Sequence, residues 1–312
     1  MLARTGNLER LAIQSPTRAI LQLLPEWLSR LSPTLKAFHL TDNCGSVTPG
    51  VLRSFLPHIQ EIYSFALGLS YSITDEDIFS FLSELPNLSS LTYRYYLQLR
   101  PPTTVPRLSH LRSLTVHHAK VGIRSHAAYL CKWVRRLVSS SPLEELRLVC
   151  EDSSRGASVS FDAVLSHLTQ KHAETLRVLD MTKAFAGQSA LRVLFARCMR
   201  LEEVGIAVSE NVLRVFPTLT CSLHELHTVT IETRNIKRRR VDMTTERARE
   251  FIENGPDKLR RLTLNGVVWE GQWLMAEQGD VRFVVQQSTP PKILPWEEGT
   301  AANHYGFLRH FH

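Results

Sequence analysis

The chain has 312 residues, of which 43% are hydrophobic, 21% charged and 8% aromatic, and its formal net charge is +7. This composition is typical of a globular protein and excludes a disordered or collagen-like chain. No apolar run approaches the ~18 residues that a membrane-spanning helix needs, so we expect no membrane partner. The five cysteines form no C-x-x-C pair, which indicates reduced thiols and a cytoplasmic or nuclear protein rather than disulfides or a zinc site.

One short phrase recurs along the chain: an apolar residue, two residues, a second apolar residue, one residue and a third apolar residue. The ten copies open at Leu8, Leu35, Ile59, Leu88, Leu111, Leu143, Leu176, Leu201, Leu226 and Leu259. The copy from Ile59 is degenerate, because its last position is Ser64. The mean spacing is about 28 residues, within the ~20–29 expected of leucine-rich repeats.

Each phrase predicts a short strand, because its last three positions alternate apolar, polar, apolar. The segments between phrases change to helical spacing. Thr74 and Asp77 predict a capping box ahead of an apolar stripe that begins at Ile78. Further stripes include Trp133 and Leu165, and proline ends several of these helices. The pattern is therefore a βα unit repeated end to end.

Consecutive strands joined by helices run parallel with right-handed crossovers. The sequence predicts an α/β fold, an irregular leucine-rich-repeat solenoid with a parallel concave sheet and helices on the convex side. We expect one solenoid over residues 1–287, with a last strand at Val281–Val285, and a mobile tail over 288–312 unless its aromatic residues fold back as a cap. An α-solenoid is the alternative, which the prolines and the β-branched phrase centres disfavour.

The phrases Leu143-Glu144-Glu145-Leu146-Arg147-Leu148 and Leu88-Ser89-Ser90-Leu91 resemble the repeat half of fungal F-box/leucine-rich-repeat proteins. Asn43, after the phrase from Leu35, matches the asparagine of the repeat consensus, and we expect its side chain to bond backbone in the following turn. The resemblance covers about Leu8 to Asn265. It implies the substrate-recognition arm of an SCF-type ubiquitin ligase, in which an F-box docks the Skp adaptor and the repeats grip a target.

In the F-box family the adaptor-docking module precedes the repeats, whereas the first phrase of this sequence already begins at Leu8. We therefore expect a Skp partner only if an F-box exists outside this chain. One alternative is a free-standing intracellular scaffold and another is nucleic-acid binding through the basic run at residues 234–240; the protein target of the first two roles is unknown.

Catalytic motifs are missing from the sequence. It contains no G-x-S-x-G, no phosphate-binding G-x-x-x-x-G-K-[ST] and no H-E-x-x-H. His224 and His227 are three apart in a predicted strand, and His117 and His118 point to opposite faces of another, so neither pair predicts a metal site. We expect no enzyme, no cofactor and no bound metal.

Function is expected on the concave strand faces, at the third, fifth and seventh positions of the phrases. The candidate protein-binding residues there are Tyr63, Phe65, Arg94, His117, Arg147 and Asp180. Tyr63, Phe65 and Arg94 are of types enriched in binding hot spots, which favours a contact centre at these three. The alternative is that Tyr63 and Phe65 repair the core of the degenerate Ile59 copy.

A basic run follows the phrase from Leu226 and contains Arg234, Lys237, Arg238, Arg239 and Arg240. It predicts either a nuclear-import signal or nucleic-acid patch, or a solvated loop. Aromatic residues do not interleave with the basic ones, which disfavours nucleic-acid binding.

Overall fold

A single sheet of twelve strands spans the computed structural model, which describes residues 7–98, 102–152, 159–233, 243–275 and 281–288. The strands are β1 (Arg10–Gln14), β2 (Ala37–Asn43), β3 (Ser64–Leu69), β4 (Ser90–Tyr95), β5 (Ser113–His118), β6 (Glu145–Cys150), β7 (Val178–Phe185), β8 (Glu203–Val208), β9 (Thr228–Thr233), β10 (Arg261–Leu264), β11 (Val267–Met275) and β12 (Val281–Ser288). They lie in chain order, and β1 to β10 are parallel. The predicted α/β solenoid is confirmed, and the α-solenoid alternative is wrong.

Helices connect most neighbouring strands. They are α1 (Arg18–Leu31), α2 (Pro49–Ile59), α3 (Asp75–Ser83), α4 (Arg124–Leu137), α5 (Asp162–Lys171), α6 (Gln188–Arg197), α7 (Glu210–Thr220) and α8 (Thr245–Glu253). Between β4 and β5 the described residues 96–98 and 102–112 contain no helix. Among the described helices, none is both long and apolar enough to cross a membrane.

The curvature follows from the spacing of the two layers. Neighbouring helices such as α1 and α2, or α5 and α6, pack directly against each other. Helices pack about 8–10 Å apart, whereas hydrogen-bonded strands lie ~4.8 Å apart, so the sheet forms the inner, concave side. The strand side chains that point away from the helices therefore line one continuous inner surface.

The core lies between the sheet and the helices. The apolar phrase positions are buried, as at Leu114 and Leu146, which are 0% exposed. Trp133 on α4 packs against them from the helix side and stacks on Tyr93, with ring centroids 5.1 Å apart. Because each repeat buries its apolar side chains against its neighbours, the repeats stabilise one another.

Two local predictions are confirmed at loop ends. The Thr74 hydroxyl accepts from the Asp77 backbone N–H at 3.2 Å, and the Asp77 carboxylate accepts from the Thr74 N–H at 3.0 Å, which completes the capping box. The Asn43 side-chain oxygen accepts from the Gly45 N–H at 3.0 Å.

The third phrase begins three residues later than predicted. Phe65 pairs in register with Phe38, and Leu67 pairs with Leu40, so the copy opens at Ile62 rather than Ile59. Ile59 instead belongs to the last turn of α2, so Pro57 lies inside this helix rather than ending it. With this register the copy is a full one, because Ile62, Phe65 and Leu67 are all buried.

An antiparallel hairpin closes the C-terminal end of the sheet. Asn265 and Gly266 form the tight turn between β10 and β11 with φ of +50° and +84°, as an Asn-Gly hairpin turn requires. The predicted strand at Val281–Val285 is β12, whereas β11 was not predicted. The expected tail lies outside the described residues, apart from Ser288 at the end of β12.

Candidate protein-interaction surface

The concave face includes two rows of side chains that the strand register places side by side. One row is Arg10, Ala37, Ser64, Ser90, Ser113, Glu145, Val178, Glu203, Thr228 and Arg261. The next row is Ala12, His39, Ala66, Thr92, Thr115, Arg147, Asp180, Gly205, Thr230 and Thr263. Small neutral residues dominate the rows from β2 to β5, and charged residues enter from β6 onward. The charged part therefore begins near the middle of the sheet.

Arg147 lies at the centre of the charged part. Its guanidinium donates to Glu145 at 2.6 Å, and it lies 3.8 Å from a carboxylate oxygen of both Asp180 and Glu203. All four side chains are half-buried or more, with exposed fractions from 16% to 35%. The Ser113 hydroxyl also donates to Glu145, at 2.8 Å. This cluster joins four neighbouring strands, from β5 to β8.

Gly205 makes room for Asp180. A Cβ atom at Gly205 would lie 2.6 Å from the Asp180 carboxylate oxygen Oδ1, closer than real Cβ contacts allow. Asp180 in turn accepts hydrogen bonds from the backbone N–H and the hydroxyl of Thr182. The carboxylate is thus fixed over β8 and toward Arg147.

A second ionic cluster lies at the carboxyl ends of β4 to β6. Arg94 donates twice to Glu151, at 2.9 and 2.5 Å, and His117 Nδ1 lies 3.9 Å from the same carboxylate. Burial lowers the pKa of His117 below its usual value, and the nearby Glu151 carboxylate opposes this in part. The next residue, His118, points to the opposite face and is buried at 4% exposure.

His39 is a buried polar residue on the same face near the N-terminal end. Its Nε2 lies 2.9 Å from the Ser64 hydroxyl, and it is only 7% exposed. Burial, with a smaller effect from the Arg10 charge, lowers its pKa to about 4. The imidazole is therefore neutral at physiological pH.

The six predicted site residues do not form one cluster. Arg94, His117, Arg147 and Asp180 lie on the concave face as predicted. The placement of Phe65 is wrong: it is 0% exposed, because the register shift puts it at a core position of the phrase. Its ring packs on that of Phe81, with ring centroids 5.1 Å apart, so Phe65 is a core residue of the third repeat, as the alternative hypothesis has it.

Tyr63 is exposed at 50%, but it precedes β3. Its backbone N–H donates to the Lys36 carbonyl, and it is level with Ser89 at the amino ends of the strands. Arg94 lies five residues further along β4, roughly 16 Å away at the rise of a strand. The expected contact centre of Tyr63, Phe65 and Arg94 is therefore wrong.

Two exposed aromatic residues were missed. Tyr71 and Tyr96 follow β3 and β4 and meet edge to face, with ring centroids 4.7 Å apart, although they are 66% and 44% exposed. Tyr71 comes two residues after β3 and Tyr96 one residue after β4, so the signal was an aromatic residue shortly after the strand in two consecutive repeats. This pair belongs to the same strand ends as Arg94 and His117.

The basic residues Arg234, Lys237, Arg238, Arg239 and Arg240 lie outside the described residues, and the run follows β9. All five cysteines are unpaired. Within the described part of the chain, no group of three or more His, Cys, Asp or Glu side chains could hold a metal ion.

Comparison with known proteins gives limited information about identity. No protein-family model matches the sequence, and no curated protein matches it. A chain of the crystal structure of the Rad7 and Elc1 complex in yeast matches with 16% identity and a TM-score of 0.41. The match covers 84% of this chain and 58% of that chain, so the present chain spans less than two thirds of the matched one. The class that the fold itself defines is the irregular leucine-rich-repeat solenoid.

Proposed function

We propose that this chain is a non-enzymatic protein–protein interaction module that binds a protein target on its concave face. The observation that carries the proposal is the continuous inner row of polar and charged side chains from β4 to β8. Neighbouring strands hold these side chains in register, and the buried core behind them keeps the backbone rigid. Solenoid proteins use such extended concave surfaces for binding.

The contact region that we favour extends from the Tyr71–Tyr96 pair to Asp180. Exposed tyrosine and arginine are types that contribute strongly to protein interfaces. Glu145 and Asp180 share the single guanidinium of Arg147, which leaves an excess of negative charge. We therefore expect the target segment to carry arginine or lysine side chains opposite β6 and β7.

We further propose that this interaction serves target recognition in an SCF-type ubiquitin ligase, as the resemblance to fungal F-box/leucine-rich-repeat proteins implies. In that setting a Skp adaptor would bind an F-box encoded outside this chain. Five unpaired cysteines favour a reducing compartment, the cytoplasm or the nucleus.

Affinity purification followed by mass spectrometry tests the binding face. The natural full-length protein is compared with Arg94→Ala and Asp180→Ala variants, and with Arg53→Ala on the convex helix α2 as the matched control. Both concave variants should lose a common protein that the native chain and the control retain. An identical set of partners for all four proteins would contradict the proposal.

The same experiment separates the two cellular roles. Recovery of a Skp adaptor with the natural full-length protein supports the ligase role. Loss of targets in the concave variants without any Skp adaptor would instead favour a free-standing scaffold.

A further inference from the structure

The convex side carries a cationic pocket that the proposed concave interaction does not use. Helices α4 and α5 pack side by side there and, with Val105 from the segment between β4 and β5, line a shallow open depression of about 300 Å³. Its lining residues are Val105, Lys132, Arg135, Arg136, Ser139 and His167. No acidic residue is among them.

Lys132, Arg135 and Arg136 are spaced so that they share one face of α4. Within the described chain none of the three forms an ion pair. Cations at the amino ends of the strands behave differently: Arg112 meets Glu144 at 2.5 Å, and Arg177 meets Glu202 at 3.0 Å. The pocket is thus a site where positive charge is concentrated without a carboxylate partner.

Two nitrogen atoms at this pocket also lack a hydrogen-bond acceptor. Arg135 Nε and His167 Nε2 are both buried and form no hydrogen bond to the protein. Burial lowers the pKa of His167, and the nearby charges of Arg135 on α4 and Lys171 on α5 lower it further. The Arg135 guanidinium therefore has a donor that no acceptor of the protein satisfies.

The helix dipole explains only part of this arrangement. Cations in the last turn of a helix interact favourably with its carboxyl end, and this applies to Arg135 and Arg136. The effect does not extend beyond the last turn, so it does not explain the position of Lys132, nor that of His167 on the neighbouring helix. Arg136 additionally donates to the Pro102 carbonyl, which holds its side chain at the rim.

We propose that this pocket is a binding site for a phosphate-class oxyanion. A doubly charged phosphate group offers several acceptor oxygens to the Arg135 guanidinium and the Lys132 ammonium, and guanidinium groups bind such oxygens in pairs. His167 adds a ring nitrogen from the neighbouring helix, whereas the Ser139 hydroxyl at the edge of the pocket already donates to the Arg136 carbonyl, at 2.9 Å. The phosphate group is either that of a free inorganic anion or that of a phosphate monoester.

Isothermal titration calorimetry on the full chain at constant ionic strength tests the proposal. The probes are pyrophosphate, inorganic phosphate and O-phosphoserine, with chloride as the reference anion. We expect saturable binding of at least one phosphate probe that chloride does not displace. Tightest binding of pyrophosphate supports a free anion as ligand, and tightest binding of O-phosphoserine supports a monoester.

The residues are tested with Lys132→Gln and with Lys132→Gln combined with Arg135→Gln. A hydrogen bond to a charged group contributes enough that the single change should weaken binding about tenfold and the double change more. Arg53→Gln on α2 makes the same charge change elsewhere and should leave binding unchanged. Lys132 is exposed, so Lys132→Gln provides a folded variant even if the double variant is unstable.

Two results would overturn the assignment. One is the absence of saturable binding of all three probes to the native chain. The other is equal affinity in Lys132→Gln, in the double variant and in Arg53→Gln, which would mean that the anions respond only to the net charge of the protein.

Discussion

Asp75 is a buried carboxyl group whose ionisation should control stability near neutral pH. It occupies the first turn of α3 and is only 3% exposed. Its backbone N–H donates to Gln98 at 2.9 Å, but its side-chain oxygen Oδ1 has no hydrogen-bond partner. Burial raises the pKa of Asp75 from 3.8 to about 7, and the nearby indole N–H of Trp133 opposes this rise in part.

The sign of the effect follows from proton binding. Between pH 4 and 7 the folded chain retains a proton on Asp75 that the unfolded chain has released. The free energy of unfolding therefore falls as the pH rises through this window, and the loss is complete above pH 7. The difference between the two pKa values corresponds to about 4 kcal/mol. We expect Asp75→Asn to be more stable than the native chain by up to that amount at pH 8.

Urea unfolding at pH 5 and pH 8, followed by far-ultraviolet circular dichroism, measures this difference. Other groups titrate in the same range, but they are common to both proteins and cancel when the native chain is compared with Asp75→Asn. At pH 5 the native chain has already lost part of this stabilisation, so the advantage of Asp75→Asn should be present at pH 5 and clearly larger at pH 8. Asp257→Asn, at an exposed position, serves as the control and should give the same difference at both values.

One result would refute the reasoning about Asp75. If the stability difference between the native chain and Asp75→Asn is the same at pH 5 and pH 8, the carboxyl group is not held protonated by burial.

Three further predictions concern the register, the concave face and acid stability, each measured by urea unfolding. Phe65→Ala should lose about 3–5 kcal/mol, as for a phenylalanine removed from a core, whereas Tyr63→Ala should lose less than about 1 kcal/mol; equal effects would contradict the register. Gly205→Ala should lower the free energy of unfolding by about 1–3 kcal/mol, because the added Cβ atom clashes with Asp180. Adding Asp180→Ala should restore most of this stability. If the double variant is no more stable than Gly205→Ala, the clash is not the cause. Because burial lowers the pKa of His39 to about 4, the native chain should lose stability as the pH drops from 6.5 to 4. His39→Gln should reduce that loss by up to about 3 kcal/mol. If His39→Gln loses as much stability between pH 6.5 and 4 as the native chain does, His39 is not the group responsible.

The sequence predicts the repeat architecture because the apolar positions of each phrase are the positions that the strand buries. Nine of ten strands begin where the phrase pattern places them, since an apolar residue at the wrong position would face water. The exception is instructive. Both Ile59 and Ile62 are apolar and three residues apart, so a search for the pattern could begin at either, and only the pairing of Phe65 with Phe38 decides between them.

Other features depend on contacts that are remote in sequence. The strand β11 lacks the phrase and is recognisable mainly from the Asn265-Gly266 turn before it. The convex pocket requires two helices to be placed side by side, and the interval between their charged residues in the sequence carries no periodic signal. On the concave face the pattern identifies which positions are free, but the partners of Arg147 come from three different strands.

The two charged surfaces differ in what the fold requires of them. The apolar residues of each phrase are buried in the core. The residues between them face away from the core, so they can vary without loss of the fold. For partly buried ion pairs the cost of removing the charges from water offsets much of their attraction, so stability alone does not explain why Glu145 and Asp180 converge on one guanidinium or why Gly205 leaves space for Asp180. Nor does it explain a cluster of unpaired cations on α4, because like charges on one helix face repel. Arrangements that oppose stability locally are expected where a partner supplies the missing charge. On this reasoning the concave face favours a cationic segment, the convex pocket favours an anion, and the two sites are opposite in sign on opposite sides of one sheet.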